Sequence, residues 1–365
     1  MAVSVAPAAD ALEAIDGTKM FGFLNRVLDD MSAAVVSIAC TLGDRLGLFK
    51  ALAAGGPATS AELAERAAVD ERYTREWLSV VTTAGYVEFD PESGRFTLPP
   101  EHAIPLAFEG GPMFMGGAYQ LLAGLFGPLD ELTRAFRDGG GVREDTYPPD
   151  LRDGMERMSS AWFEHLLPTQ WIGATPEVRA KLERGAAVAD VGCGAGRALI
   201  SLARRFPASS YVGYDVYAPA LEKARATAEQ AGVADRVRFE ERDAAQGLPD
   251  RYDLVTTFDV LHDLPDPTAA LRAIRGALKP DGAFLLLESN CSERLEENRG
   301  PAATILYGTS LLFCTPTSRE AGGEGLGTMG LPEPKVRALC GEAGFSSVTR
   351  LPVDNPFNVL YEARP

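Results

Sequence analysis

A chain of 365 residues is long enough for two domains, each with its own apolar core. Hydrophobic residues make up 46% and charged residues 24%, the balance of a folded chain rather than a disordered one. With 51 acidic against 35 basic residues the formal charge is -16, which repels a nucleic-acid backbone unless a local basic patch reverses it.

The five cysteines (Cys40, Cys193, Cys291, Cys314, Cys340) stand singly, with no C-x-x-C pair and no histidine cluster to complete a zinc site. They read as small core fillers in a reducing compartment, and no metal is expected. The start of the chain, Met1 to Gly17, is alanine-rich and acidic and lacks the basic flank of a signal peptide. No apolar run reaches membrane-spanning length. The expectation is a cytoplasmic protein, away from membranes, with residues 1–20 frayed.

From residue 21 to about residue 52 apolar residues recur at helical spacing and predict two helices with unusually apolar faces, carrying Phe23, Leu24, Leu28, Val35 and Leu42. Such faces need partners, and a two-fold homodimer in which one subunit helps wall the other's pocket would supply them. Ser60 is the expected cap of the next helix; Leu63 stands three residues on, so the full capping box is not expected. A short helix over residues 71–84 precedes an alternating segment that turns at Asp90 to Gly94, a β-hairpin. Three helices and a hairpin over residues 21–100 make a winged helix. Winged helices often read DNA, but residues 41–100 hold six basic and nine acidic residues, and the candidate recognition helix offers only Arg72 and Arg75 among acids. An interface suits that composition better than phosphate.

Residues 101–185 are expected to form a helical linker or acceptor cap, with aromatic-rich helical stretches over residues 113–136 and 151–171. His102 reads as a surface loop residue, and His165, on the aromatic helix, as a structural histidine. From Ala187 short β-branched runs alternate with amphipathic helices, the pattern of an α/β, Rossmann-like, doubly wound and mainly parallel sheet over residues 186–365. Residues 301–330 interrupt it as a lid-like insertion, with a glycine-rich hinge from Gly322 to Gly327.

The chemistry concentrates in Asp190-Val-Gly192-Cys-Gly194-Ala-Gly196, directly after a strand and before a helix. Glycines at alternate positions allow a sharp turn and let a ligand approach the main chain. A nicotinamide fingerprint would space them as G-x-G-x-x-G. The tighter spacing, with an acid in front, resembles motif I of class I S-adenosylmethionine-dependent methyltransferases. That resemblance implies S-adenosyl-L-methionine as cofactor, Asp190, Gly192, Gly194 and Gly196 in its loop, Asp215 on the ribose, Asp243 and Ala244 at the adenine, and Phe258 near the methionine part. The run Val260-Leu-His262-Asp263 resembles the His-Asp dipeptide of small-molecule O-methyltransferases that carry an N-terminal winged-helix dimerisation domain. The resemblance implies His262 as general base and Glu288 as the acid orienting it; the second orienting acid falls at Gly330, with Glu324 close by. In other class I methyltransferases a similar histidine only packs or caps, so N- or C-methylation of a small metabolite with a structural His262 stays open. So does a winged-helix regulator that binds the same cofactor.

Overall fold

The computed structural model describes residues 15–353 and 355–365. They form two compact units, one running to Glu109 and one from Gly110 to the C-terminus. The expected frayed start lies outside the described residues up to position 14. Beyond it the expectation fails: the chain is helical from Gly17, because the Asp16 carboxylate accepts the backbone N–H groups of Thr18 and Lys19 at 3.0 and 3.2 Å.

The first unit consists of α1 (Gly17–Arg45), α2 (Leu48–Gly55), α3 (Ser60–Ala67), α4 (Glu71–Thr83), the antiparallel hairpin β1 (Glu88–Asp90) and β2 (Arg95–Thr97), and α5 (Pro100–Ala107). Gly47, at φ 67°, breaks the long apolar run into α1 and α2. The core gathers Leu48, Phe49, Leu52, Leu63, Leu78 and Val81. Trp77 closes it, donating its indole N–H to the Ala39 carbonyl at 2.8 Å and meeting Phe49 edge-on at 5.0 Å. A Cβ at Gly43 would stand 2.6 Å from the Trp77 ring, so α1 reaches this close only through glycine.

Two local expectations need correction here. The cap of α3 is Thr59, not Ser60, and the capping box is complete: Glu62 Oε2 accepts the Thr59 N–H at 2.9 Å while Thr59 Oγ1 accepts the Glu62 N–H at 3.3 Å. Glu62 also takes both terminal nitrogens of Arg95, at 2.7 and 2.8 Å, which ties α3 to β2. His102 sits on α5 rather than on a loop, half-buried, with Nδ1 2.9 Å from the Tyr86 carbonyl. The outer face of α1 remains apolar and exposed: Phe23 is 71% accessible and Met31 63%. Among the described residues no single helix is long and apolar enough to cross a membrane; α1 and α2 meet that test only as a pair bent by 66°.

The second unit opens with α6 (Gly116–Leu125), α7 (Leu129–Asp138), α8 (Pro149–His165) and α9 (Pro176–Arg184). Pro128 splits the first aromatic stretch into two helices. Helices α6 and α8 touch through glycine: a Cβ on Gly154 would lie 2.3 Å from the Leu121 nitrogen, and one on Gly124 2.4 Å from that of Leu151. Behind them stands a seven-stranded sheet of β3 (Ala187–Val191), β4 (Ser210–Asp215), β5 (Val237–Glu241), β6 (Tyr252–Phe258), β7 (Leu278–Ser289), β8 (Ser347–Arg350) and β9 (Asn358–Arg364). The order is β5-β4-β3-β6-β7-β9-β8, with the first five parallel and β9 antiparallel to both its neighbours. This is the mixed, mainly parallel sheet of a class I methyltransferase fold, preceded by a winged helix.

Helices α10 (Arg197–Arg205) and α11 (Ala218–Gln230) cover one face, and α12 (Pro267–Ala277) the other. The insertion is mostly helical, as α13 (Gly300–Thr309), a π-turn over Ser310–Cys314 and α14 (Thr315–Glu320), before α15 (Glu333–Glu342) joins α12 on the second face. Because five strands run in parallel, their carboxyl ends form a single rim, and β9 starts at that rim with Asn358.

Thr59→Ala removes a cap that Ser60→Ala leaves in place. Urea unfolding is expected to show a loss of about 1 kcal/mol for the first and a smaller loss for the second.

Candidate active site

The loop between β3 and α10 is built by three left-handed glycines, Gly192, Gly194 and Gly196, at φ 71°, 50° and 72°. They differ in what surrounds them. A Cβ on Gly192 would strike Val260 and one on Gly196 would strike Phe239, both at 2.5 Å, whereas one on Gly194 would meet nothing within 4 Å. Gly194 therefore presents bare main chain to open space, the condition for close approach of a ligand. Asp215, ending β4, braces that point: Oδ2 accepts the Gly194 N–H at 2.8 Å and Oδ1 accepts the Tyr217 N–H at 2.9 Å. Its carboxylate stays half-buried, with lone pairs left for hydroxyl donors.

Asp190, at the end of β3, is 2% exposed and accepts the Thr256 hydroxyl at 2.6 Å. Burial pushes its carboxyl up to about 7, against the lowering effect of that hydrogen bond. Asp243 lies exposed after β5, where Oδ1 accepts the Ala245 N–H at 2.9 Å and Oδ2 the Gln246 amide at 3.2 Å; Ala244 beside it is buried. Phe258 ends β6 with its ring in an aromatic trio, 5.3 Å from Phe163 and 5.8 Å from Trp171. Two residues of the aromatic stretch are thus spent on packing the sheet rather than left facing an open cleft.

Further along the rim, His262 is 3% exposed and Glu288 fully buried. Glu288 Oε2 stands 2.6 Å from His262 Nδ1, and Oε1 accepts the Leu261 N–H at 2.9 Å, so both carboxylate oxygens are spent on fixing the imidazole. A carboxylate on Nδ1 makes that nitrogen the donor and leaves Nε2 as the reactive one. On that side Asp263 Oδ1 approaches to 3.5 Å, with Cys314 near both. Desolvation alone would lower the imidazole pKa, but the carboxylates of Asp263 and Glu288 outweigh it and hold it well above the ordinary histidine value.

Two members of this cluster, Asn358 and Cys314, are not singled out by the sequence as site residues, while Asp259 belongs to the Thr257-Phe-Asp259 stretch expected near the methionine part. Asp259 adopts φ 55° at the strand end, and the Asn358 amide donates to both its oxygens, at 2.7 and 3.0 Å. Burial, reinforced by Glu288, pushes its carboxyl up to about 7. Cys314 arrives from the insertion, 51 positions after Asp263 in the chain. Glu324 is exposed, and the second acid against the imidazole is the adjacent Asp263. His165 donates to or accepts from nothing at the rim; its Nε2 is 2.8 Å from the Gly110 carbonyl, in keeping with a structural histidine.

Comparison with known proteins places this geometry. Residues 189–284, which carry the glycine loop, Asp215, Asp243 and His262, match the model of a methyltransferase domain, and residues 34–107 match an Rv2258c-like winged HTH domain. The chain is an S-adenosylmethionine-dependent methyltransferase. Acetylserotonin O-methyltransferase of Mus musculus is 28% identical over 354 residues, covering 92% of this chain and 86% of that protein. The solved mitomycin 7-O-methyltransferase MmcR superposes with a TM-score of 0.68 at 21% identity, over 96% of this chain and 100% of its own. Human N-acetylserotonin methyltransferase in complex with SAM superposes at 0.63 with 20% identity, over 96% and 98%. The cofactor of this methyltransferase is S-adenosylmethionine, and the bare Gly194 main chain beside a half-buried carboxylate suits it.

A carboxyl raised from 3.8 to about 7 on folding holds a proton that the unfolded chain has already lost, so between those values stability falls as pH rises. Asp190→Asn keeps an acceptor for Thr256 and removes that contribution. Denaturant unfolding of the free protein at about pH 5 and about pH 8 is expected to show a smaller alkaline loss in the variant than in the wild type.

Proposed function

We propose that this methyltransferase acts on a hydroxyl oxygen of a small, apolar or aromatic acceptor, with His262 as general base and Glu288 as its positioning residue. Asp190, Gly192, Gly194, Gly196, Asp215, Asp243, Ala244 and Phe258 form the cofactor site in this reading. The observation that carries it is the 2.6 Å bond from His262 Nδ1 to the fully buried Glu288, which fixes one tautomer and aims Nε2 as the proton acceptor. The O-methyltransferase names of the full-length mouse relative and of the solved neighbour point the same way.

When bound, S-adenosylmethionine supplies an electrophilic methyl group on a sulfonium. The protein's part is to hold the acceptor oxygen in line with it and to take the hydroxyl proton on Nε2. Asp215 would accept hydrogen bonds from the ribose hydroxyls while keeping its hold on Gly194. Residues 301–330 serve as the lid in this reading.

A second reading, methylation at nitrogen or carbon with His262 structural, draws on a different observation: His262 is only 3% exposed and its Nε2 faces Asp263 at 3.5 Å. A DNA-binding regulator is disfavoured, since Arg72 is paired with Glu76, and Arg75 with Glu71 at 3.1 Å, leaving neither arginine of α4 free for phosphate. The exposed apolar face of α1 supports a homodimer, and the absence of any disulfide among the described residues suits a reducing, cytoplasmic setting.

Asp215→Ala is expected to weaken S-adenosylmethionine binding roughly 10- to 100-fold by calorimetry, the cost of losing charged hydrogen bonds. His262→Gln should leave that affinity unchanged and lower labelled-methyl transfer to a phenol panel by about 10²–10⁴-fold. The imidazole faces Glu288, Asp263, Asp259 and Cys314, and its acids raise it, so the neutral base form grows as pH rises. Wild-type turnover is therefore expected to climb on the alkaline side; a rate flat across that range, or full turnover by His262→Gln, selects the second reading.

A further inference from the structure

Between α7 and α8 the chain forms a strap that joins the insertion to the β4 end of the rim. On the insertion side the Val142 N–H donates to the Pro316 carbonyl at 3.1 Å, Arg319 Nε to the Gly140 carbonyl at 3.1 Å, and the Tyr147 hydroxyl to the Leu312 carbonyl at 2.6 Å. The Tyr147 ring meets Phe313 edge-on at 5.2 Å, and the next residue, Cys314, stands beside His262 and Asp263. Between these anchors lies one turn of 3-10 helix, Glu144–Thr146.

The other side of the strap reaches the ribose-binding end. Glu144 pairs with Arg152 in the first turn of α8, and the Arg152 guanidinium lies 3.9 Å over the Tyr217 ring. Tyr217 in turn donates its N–H to Asp215 Oδ1 at 2.9 Å. The ion pair thus bridges the acid that ends β4 and the insertion segment beside His262. Both side chains remain open to a ligand, Glu144 at 43% exposure and Arg152 at 37%. Partial burial pushes the Glu144 carboxyl above its ordinary value against the pull of Arg152, and the carboxylates of Asp263 and Asp215 add to the rise. Arg152 alone does not offset these effects, so a second cation near Glu144 is favoured.

Such a cation is part of the cofactor. The sulfur of S-adenosylmethionine is bonded both to the ribose methylene and to the transferred methyl group, so it lies between the ribose on Asp215 and the acceptor beside His262. On that reading of the site, we propose that Glu144 is the counter-charge to the sulfonium and Arg152 its competitor, so that the pair distinguishes the charged cofactor from the neutral thioether product. Glu144 is shared between guanidinium and sulfonium before methyl transfer. Afterwards Arg152 holds it alone, and the lost attraction favours release of S-adenosylhomocysteine.

The test is calorimetric titration of the full-length protein with S-adenosylmethionine and with S-adenosylhomocysteine, in the wild type, Glu144→Gln and Arg152→Met. Glu144→Gln is expected to weaken S-adenosylmethionine binding roughly 3- to 10-fold, as suits a partly exposed charge pair, and to leave the affinity for S-adenosylhomocysteine at its wild-type value. Arg152→Met keeps an apolar stem over Tyr217, removes the competitor and should shift the preference the other way, toward S-adenosylmethionine. An ion pair that only braces the strap would shift both ligands together. Equal loss for the two ligands in Glu144→Gln, no change for either, or a shift by Arg152→Met in the same direction as Glu144→Gln would overturn the proposal. A wild type that binds neither ligand would overturn the Asp215 site and this proposal together, a result distinct from the others.

Discussion

The site rests on one bond, from the Gly194 N–H to Asp215 Oδ2 at 2.8 Å. It joins the ends of two neighbouring parallel strands and holds a left-handed glycine with its bare side toward open space. The bond is possible only because β3 and β4 run in register and end at the same rim. The remaining acids follow from the same constraint: Glu288 on β7 and Asp259 after β6 reach His262 because their strands finish beside it. Chemistry gathered from five chain segments is thus a consequence of strand direction, with the side chains adding the charge.

That charge is costly to bury. Asp190 and Asp259 are both pushed up to about 7 by desolvation, and each is held by one neutral donor group, a hydroxyl or an amide. Around His262 the excess of acid raises the imidazole, so the same neighbours that orient it also favour its protonated form. A base in this position works only when an acceptor or a rise in pH releases that proton. The first unit shows the opposite economy, with its core closed by Trp77 and a long apolar helix face left exposed.

Strand alternation, the glycine loop and the acids at strand ends were legible because each is a local signal: a period of two, a spacing of alternate glycines, an acid directly after an apolar run. The winged helix was legible from its element order. What escaped were contacts that depend on distant residues. Cys314 looked like core filler, and nothing in its neighbourhood in the chain announces Asp263. Asn358 could not be assigned to Asp259 before the antiparallel insertion of β9 was known. The cap of α3 failed by one residue, since Ser60 and Thr59 are both competent and only the helix start decides which carries Glu62 at its third position. Aromatic residues at 163 and 171 gave no sign whether they line a pocket or pack; Trp171 is fully buried and packs.

The central claim, that the Gly194 loop and the Asp215 carboxylate hold S-adenosylmethionine, is tested most directly by calorimetric titration of the wild-type chain with that compound and with S-adenosylhomocysteine. The account predicts one saturable site per chain for both ligands, with competition between them. No heat and no thermal shift with either ligand at millimolar concentration would contradict it.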